Sequence, residues 1–272
     1  MNRHGRARRR RLGQHFLVDP DVARRTLALA DLAPGATVLE IGPGRGALTE
    51  VLLSAGLEVF AVELDAELAA ELEARRLAGL TVVQGDFLRL DLGSLPAQPM
   101  PVVANLPYSS GTAILARLLE AAQRFPRIVV MLQREVAERL CALPGSRAYG
   151  ALTVLTALRA VARLGFVVPP EAFRPRPEVE SATVRLDVSP APRAGVVDPV
   201  AFRRVVHFAF AQRRKSLRNA LGAGLGAQGA ADAALARAAI DPRRRAETLS
   251  LEEFATLTVA VAEGSATAPG PD

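Results

Sequence analysis

The ten residues from Thr37 to Gly46, TVLEIGPGRG, constrain the fold more than any other stretch of this chain. Val38, Leu39 and Ile41 read as a short buried strand. Gly42, Gly44 and Gly46 form a turn that leads into a helical pattern from Ala47 to Ala55. Backbone without Cβ atoms can approach a ligand closely, and free amides at a helix start favour an electron-rich group. The turn therefore predicts a nucleotide-like cofactor. Its spacing is G-x-G-x-G, not the G-x-G-x-x-G of dinucleotide binders, so on its own it also fits a plain glycine-rich strand-to-helix connection.

The residues around the turn repeat the same alternation. Asp19-Pro20 gives a helix N-cap with proline at the first helical position, and the helix runs to about Leu32 before Pro34-Gly35. Strands are expected at 58–62, 80–83, 102–104 and 128–132, with helices at 66–77, 112–122 and 134–140. Residues 149–164 fit either one helix or a helix followed by a strand. Residues 179–186 alternate as a strand that pairs antiparallel at the sheet edge. The pattern predicts an α/β fold, a mostly parallel sheet covered by helices on both faces. The expected organisation is a basic arm over 1–18, an α/β domain over 19–188, a linker over 189–199, a smaller helical domain over 200–263 and a disordered tail over 264–272.

Charge and cysteine content narrow the partners. The formal net charge is +6, and arginine supplies nearly all of the 34 basic residues, Lys215 being the one lysine. Such a surface attracts polyanions, so a nucleic acid is an expected partner. Cys141 is the single cysteine, and His4, His15 and His207 are scattered without metal-ligand spacing. Neither a disulfide nor a metal site is expected, which suits a reducing cytoplasm. Arg3, Arg6 and Arg8–Arg11 precede no apolar stretch of the signal-peptide kind, and no uncharged apolar run is long enough to span a bilayer. A soluble protein without a membrane partner is expected.

In parallel sheets ligands bind beyond the carboxyl ends of the strands, so polar residues there carry weight. Glu63 lies 17 residues after Gly46, near the spacing of about 20 at which a carboxylate meets a ribose hydroxyl pair. It also fits an acid in a helix N-cap turn. Asp86 suits an exocyclic adenine amine while Phe87 offers the ring an apolar face; a packed Asx turn is the alternative. Asn105-Leu106-Pro107-Tyr108 follows the strand expected at 102–104. An aromatic amine is a poor nucleophile because its lone pair is delocalised. Acceptors on Asn105 and near Leu106, stiffened by Pro107, would favour the pyramidal geometry that frees it. Tyr108 would stack on an extruded base. An Asn-x-Pro turn with a packed tyrosine is the plainer reading.

Eight stretches together closely resemble the small-subunit (16S) rRNA dimethyladenosine transferases, the KsgA family. They are GQHFL (13–17), EIGPGRGALT (40–49), VELD (62–65), GDF (85–87), NLPY (105–108), MLQREVAERL (131–140), FRPRPEVESATVRL (173–186) and FAQRRKSLRNAL (210–221). The resemblance implies a Rossmann-like S-adenosylmethionine-dependent methyltransferase domain with a smaller C-terminal helical domain. It implies dimethylation at N6 of two adjacent adenosines in the 3′-terminal hairpin of 16S rRNA, with the immature 30S subunit as partner and a role in subunit biogenesis. A monomer is expected.

Carried over by matching position, the cofactor residues are His15, Leu17, Gly42, Gly44, Glu63, Asp86, Phe87 and Asn105. Asn105, Leu106, Pro107 and Tyr108 frame the target amine, and Phe173 is expected as a second aromatic face. His15 stands where asparagine is frequent, and Ser109-Ser110 departs from the usual residues after NLPY. Arg8, Arg9, Arg10, Arg11, Arg213, Arg214, Lys215 and Arg218 are expected to touch RNA phosphates, Arg214 and Arg218 sharing a helix face. Two other functions remain open at this point. One is a 23S rRNA adenine N6-methyltransferase of the erythromycin-resistance type; the other is an assembly factor acting mainly by binding.

Overall fold

Short apolar runs separated by amphipathic ones build a seven-stranded sheet in the computed structural model, which describes residues 14–212 and 214–266. Two compact units emerge. One takes the described residues through Glu138 together with Val161–Pro190; the other takes Arg139–Ala160 and the described residues from Ala191 onward. Residues Arg139–Ala160 thus pack with the helical unit, although the sequence pattern places them with the α/β domain.

The first unit holds β1 (Phe16–Leu17), α1 (Pro20–Ala30), β2 (Thr37–Ile41), α2 (Ala47–Ser54), β3 (Glu58–Glu63), α3 (Ala66–Ala74) and β4 (Leu80–Gln84). It continues through β5 (Val102–Asn105), α4 (Gly111–Glu120) and β6 (Arg127–Gln133), and α5 (Arg134–Leu140) begins within it. Most of β7 (Ala160–Val168), then β8 (Phe173–Arg174) and β9 (Ser181–Val188), complete it. The expected elements are present with ends shifted by a residue or a few. Their starts follow local chemistry: Asp19 accepts the amide of Asp21 at 2.8 Å ahead of Pro20, and Asp65 accepts the amide of Glu67 at 3.0 Å ahead of α3.

The sheet order is β4-β3-β2-β5-β6-β9-β7. β2, β3, β4, β5 and β6 run parallel, and β9 runs antiparallel to β6. The chain moves outward from β2 to β4 and then returns to lay β5 on the other side of β2. The crevice where the order reverses lies past the ends of β2 and β5, which is where an open sheet of this kind binds ligands. β9 is not the edge strand, contrary to expectation. Residues 149–164 resolve into helix α6 (Ala151–Ala157) followed by β7, and β7 occupies the edge beside β9. A separate two-residue ladder pairs β1 with β8, Phe16 opposite Arg174 and Leu17 opposite Phe173.

The second unit gathers α6 with α7 (Pro199–Phe210), α8 (Leu217–Leu225), α9 (Gln228–Arg237) and α10 (Leu251–Ala266). Asp198 caps α7 and Pro199 opens it. Phe202 and Phe254 are fully buried with ring centroids 6.4 Å apart, and Tyr149 donates to the Leu249 carbonyl at 2.7 Å. Burying each such ring stabilises the unit by about 1.5–3 kcal/mol relative to exposure. Among the described residues no helix is long and apolar enough to cross a membrane.

Candidate active site

A cavity of about 220 Å³ opens at the sheet crevice. The ends of β2, β3, β4 and β5 line it, with Gln14–Leu17 forming another wall. His15, Leu17, Gly42, Gly44, Glu63, Asp86, Phe87 and Asn105–Tyr108 all lie in that lining. Residues drawn from positions 14 to 108 are thus brought together as the strand-end argument requires.

The glycine turn serves the cavity by what it lacks. Gly42, Gly44 and Gly46 have φ of 69°, 59° and 85°, a region that L side chains rarely adopt. A Cβ on Gly42 would meet no atom within 4 Å and would project into open space; one on Gly44 would strike the Phe16 ring at 2.8 Å. The amides of the three glycines are all engaged within the protein. Gly42 donates to the Val62 carbonyl at 2.9 Å, Gly46 to the Pro43 carbonyl at 2.9 Å, and Gly44 to Glu63 Oε2 at 2.9 Å.

Glu63 is buried, and its Oε1 also accepts the Asp65 amide at 2.9 Å. Burial pushes its pKa up, partly offset by those amides. A second carboxyl, Glu40, lines the same cavity from β2 and was not anticipated. It is 1% exposed and accepts the Thr49 hydroxyl at 2.7 Å. Burial pushes its pKa up to about 8, the Thr49 hydrogen bond opposing and the charge of Glu63 adding to the shift. The signal was legible: a carboxylate between Leu39 and Ile41 in a strand buried on both faces is an anomaly. Gln14 was likewise passed over. Its Oε1 is buried in the cavity wall with no hydrogen-bond partner among the described residues.

Asp86 makes the Asx turn considered as its alternative, accepting the Leu88 amide at 2.9 Å, and still faces the cavity. Phe87 is buried in the lining, with the Arg117 guanidinium 5.6 Å from its ring centroid.

Asn105 Nδ2 donates to the His15 carbonyl at 3.1 Å, which directs Oδ1 elsewhere as an acceptor. The Pro107 carbonyl is taken by the amides of Ser110 and Gly111, at 3.2 and 2.7 Å. The Leu106 carbonyl has no described hydrogen bond, while its amide donates to Met131. Tyr108 is half-buried, its hydroxyl 2.5 Å from Ser181 Oγ and its ring centroid 5.2 Å from that of His15. His15 itself uses Nδ1 on the Pro175 carbonyl at 2.8 Å, which ties the 14–17 segment to the residues after β8.

Phe173 is placed differently from the expectation of a second aromatic face. It is fully buried in the core beside Leu17, Val22 and Val168 and does not line the cavity. The alternation of strand β8, with Arg174 exposed, turns its ring inward.

Of the expected RNA contacts, Arg8–Arg11 and Arg213 lie outside the described residues. Arg214 and Lys215 are exposed in the turn before α8. Arg214 therefore does not share a helix face with Arg218, because α8 begins only at Leu217. Both guanidinium arms of Arg218 reach Asp232, at 2.5 and 2.7 Å. Among the described residues no group of three or more His, Cys, Asp or Glu side chains is arranged to hold a metal ion.

Comparison with known proteins places this arrangement. Residues 5–263 match the family described as ribosomal RNA adenine dimethylase. The chain is 49% identical over 251 residues to a ribosomal RNA small subunit methyltransferase A of Syntrophotalea carbinolica, covering 92% of this chain and 95% of that protein. It is 47% identical over 262 residues to the protein of that name from Magnetococcus marinus, covering 94% and 93%. Among solved structures, a 23S rRNA methyltransferase, ErmE, aligns with a TM-score of 0.69 and 26% identity over 91% of this chain and 99% of its own. A dimethyladenosine transferase from Plasmodium falciparum shares the fold, with a TM-score of 0.78 and 22% identity over 92% and 98%.

Proposed function

The chain belongs to the ribosomal RNA adenine dimethylase family, and from that premise we propose that it dimethylates N6 of two adjacent adenosines in the 3′-terminal hairpin of 16S rRNA. It is an S-adenosylmethionine-dependent rRNA adenine methyltransferase. The observation that carries the reading is one cavity in which Glu63 and Asp86 adjoin Asn105-Leu106-Pro107-Tyr108.

The residues fit the cofactor. Gly42 leaves room where a Cβ would stand, Gln14 Oε1 is a buried acceptor awaiting a donor, and Glu63 retains lone pairs beyond the two amides it accepts. Glu63 would hold the ribose hydroxyls, Asp86 and Phe87 the adenine, and His15, Leu17, Gly42 and Gly44 the walls. When bound, S-adenosylmethionine supplies an electrophilic methyl group.

Asn105 Oδ1 and the Leu106 carbonyl accept the two hydrogens of the target amine, which draws the nitrogen toward pyramidal geometry and frees its lone pair. The Asn105 tie to the His15 carbonyl fixes which end of the amide faces the amine. Tyr108 offers its ring to the extruded base. No general base is required, since the nitrogen becomes acidic only on alkylation and then sheds its proton to solvent. After the first transfer one N–H remains, so the second transfer engages one acceptor rather than two.

Exposed Arg203, Arg204, Arg214 and Lys215 supply phosphate contacts, with Arg8–Arg11 and Arg213 adding to them. Arg218 contributes less because Asp232 occupies its fork. The proposed substrate is the immature 30S particle in the cytoplasm, and the enzyme acts as a monomer without metal. Transfer of labelled methyl to unmethylated 30S particles and, in parallel, to 23S rRNA tests this, followed by mapping of the modified bases. Dimethyladenosine near the 3′ end of 16S rRNA is expected; label in 23S rRNA alone would refute it.

A further inference from the structure

The stretch FRPRPEVESATVRL marks the family, yet the function derived above uses none of its polar side chains. Ser181 is the first residue of β9 and is fully buried. A buried hydroxyl needs a partner, and the described partner of this one is Tyr108 Oη at 2.5 Å. From these observations we infer that Ser181 is a positioning residue for methyl transfer, holding the phenol oxygen of Tyr108 in place and with it the direction in which the ring projects toward the target base.

The geometry that supports this runs through one strand. β6 pairs with β5 on one side and β9 on the other, so that Met131 stands opposite Asn105 while Gln133 stands opposite Ser181. Asn105 and Ser181 are thereby held two residues apart along the same rail. The start of β9 is pinned again by the Arg134 amide, which donates to the Glu180 carbonyl at 2.9 Å, and by the Arg134–Glu180 ion pair at 2.8 Å. Tyr108, by contrast, follows the strand end, where its Cα alone leaves two side-chain torsions to be fixed. The His15 ring limits one side of the phenol, with its centroid 5.2 Å away, and the Ser181 hydroxyl fixes the far end. Removing that anchor leaves Tyr108 in the cavity wall with its far end free to swing about χ1, limited on one side by the His15 ring. Binding of the cofactor, which Glu63 and Asp86 serve, should be untouched, while alignment of the base should suffer.

The inference rests on the reading in which Tyr108 faces the target adenine, and the variants separate the two. Turnover and KM on unmethylated 30S particles are measured for full-length Ser181→Ala, Tyr108→Phe, the double variant and Tyr108→Ala. S-adenosylmethionine binding stoichiometry checks that each variant is folded. A lost alignment lowers kcat by about tenfold in Ser181→Ala and in Tyr108→Phe alike. KM for S-adenosylmethionine stays unchanged, and the double variant is no slower than the slower single one. Ser181→Cys, somewhat larger but retaining a weak hydrogen-bonding atom, recovers part of the loss. A purely structural role for Ser181 would instead lower the folded fraction and leave kcat per bound cofactor intact. The inference is overturned if Ser181→Ala turns over within twofold of the unaltered protein, or if the two single losses multiply in the double variant. Full activity in Tyr108→Ala would remove the reading beneath it; inactivity of Tyr108→Ala beside an unaffected Ser181→Ala would remove the role of Ser181 alone.

Discussion

Glu63 and Gly44 are joined by a buried hydrogen bond of 2.9 Å, from the amide of the glycine turn to Oε2 of the carboxylate. The other carboxylate oxygen accepts Asp65 N at the same distance. One side chain therefore locks the glycine turn to the end of the neighbouring strand and presents its remaining lone pairs to the cavity.

Glu63→Gln should disable this arrangement without unfolding the sheet. An amide in place of the carboxylate turns an NH2 group toward one of the two backbone donors. The ribose hydroxyls would also meet a neutral amide where a charged carboxylate accepted them, and since hydrogen bonds to charged groups contribute about 1.5–3 kcal/mol, the dissociation constant for S-adenosylmethionine should rise by roughly tenfold to a hundredfold. Calorimetric titration with S-adenosylmethionine reads this directly. RNA affinity, measured by filter binding, should not change, and an equal loss of both would argue that Glu63 acts only on the fold.

Asn105→Ala removes two things at once, the acceptor Oδ1 and the donor that holds the His15 carbonyl at 3.1 Å. The first loss should reduce kcat by about a hundredfold, the usual scale for deleting one preorganised hydrogen-bonding group at a reacting centre. The second should raise KM for S-adenosylmethionine several-fold if the cofactor binds as proposed, because residues 14–17 form a wall of the cavity. Single-turnover transfer together with cofactor binding separates the two. A change in KM with kcat intact would reduce Asn105 to a tether for the N-terminal segment.

Glu40 predicts a pH dependence of stability. Its carboxyl titrates near 4.5 when unfolded and is pushed up to about 8 in the fold, mainly by burial. Between those values the folded protein holds a proton that the unfolded chain has released. Its stabilising contribution is therefore full below the lower value and is lost as pH rises through the upper one. The folding equilibrium constant should fall by about tenfold per pH unit from this group alone. Glu63, also raised, adds a slope of the same sign. Urea midpoints across this range should be flatter with pH for Glu40→Gln than for the unaltered protein. Parallel curves would mean that Glu40 ionises normally in the fold.

Much of this was readable beforehand because it depends on short-range chemistry. Proline and aspartate fixed the start of α1, the glycines fixed the turn after β2, and strand-end residues met in one cavity because parallel strands bring their carboxyl ends to one rim. What escaped depends on long-range packing. The sheet position of β9 turned on whether residues 149–164 contained a strand, and β7 emerged there to take the edge. The engagement of the glycine amides by Val62, Pro43 and Glu63 could not be read from the turn alone. Ser181 gave only the alternation of Ser181 and Thr183 on one strand, with nothing in the sequence to say that Tyr108 lies 2.5 Å away.

Phe173 provides the sharpest contrast between a motif and its placement, since a stacking ring must be exposed and this one is fully buried opposite Leu17. Truncation to alanine would cost about 3–5 kcal/mol and would confound packing with chemistry. Phe173→Leu is the better variant, because it keeps most of the apolar volume and removes the aromatic face. If the ring serves the core, Phe173→Leu lowers the melting temperature by a few degrees and leaves kcat on 30S particles nearly intact. If the ring instead leaves the core to cover the target base when RNA binds, the same variant loses kcat while KM for S-adenosylmethionine and melting temperature hold. The placement beside Leu17, Val22 and Val168 favours the first outcome, because withdrawing the ring would empty a packed site and expose its apolar surface.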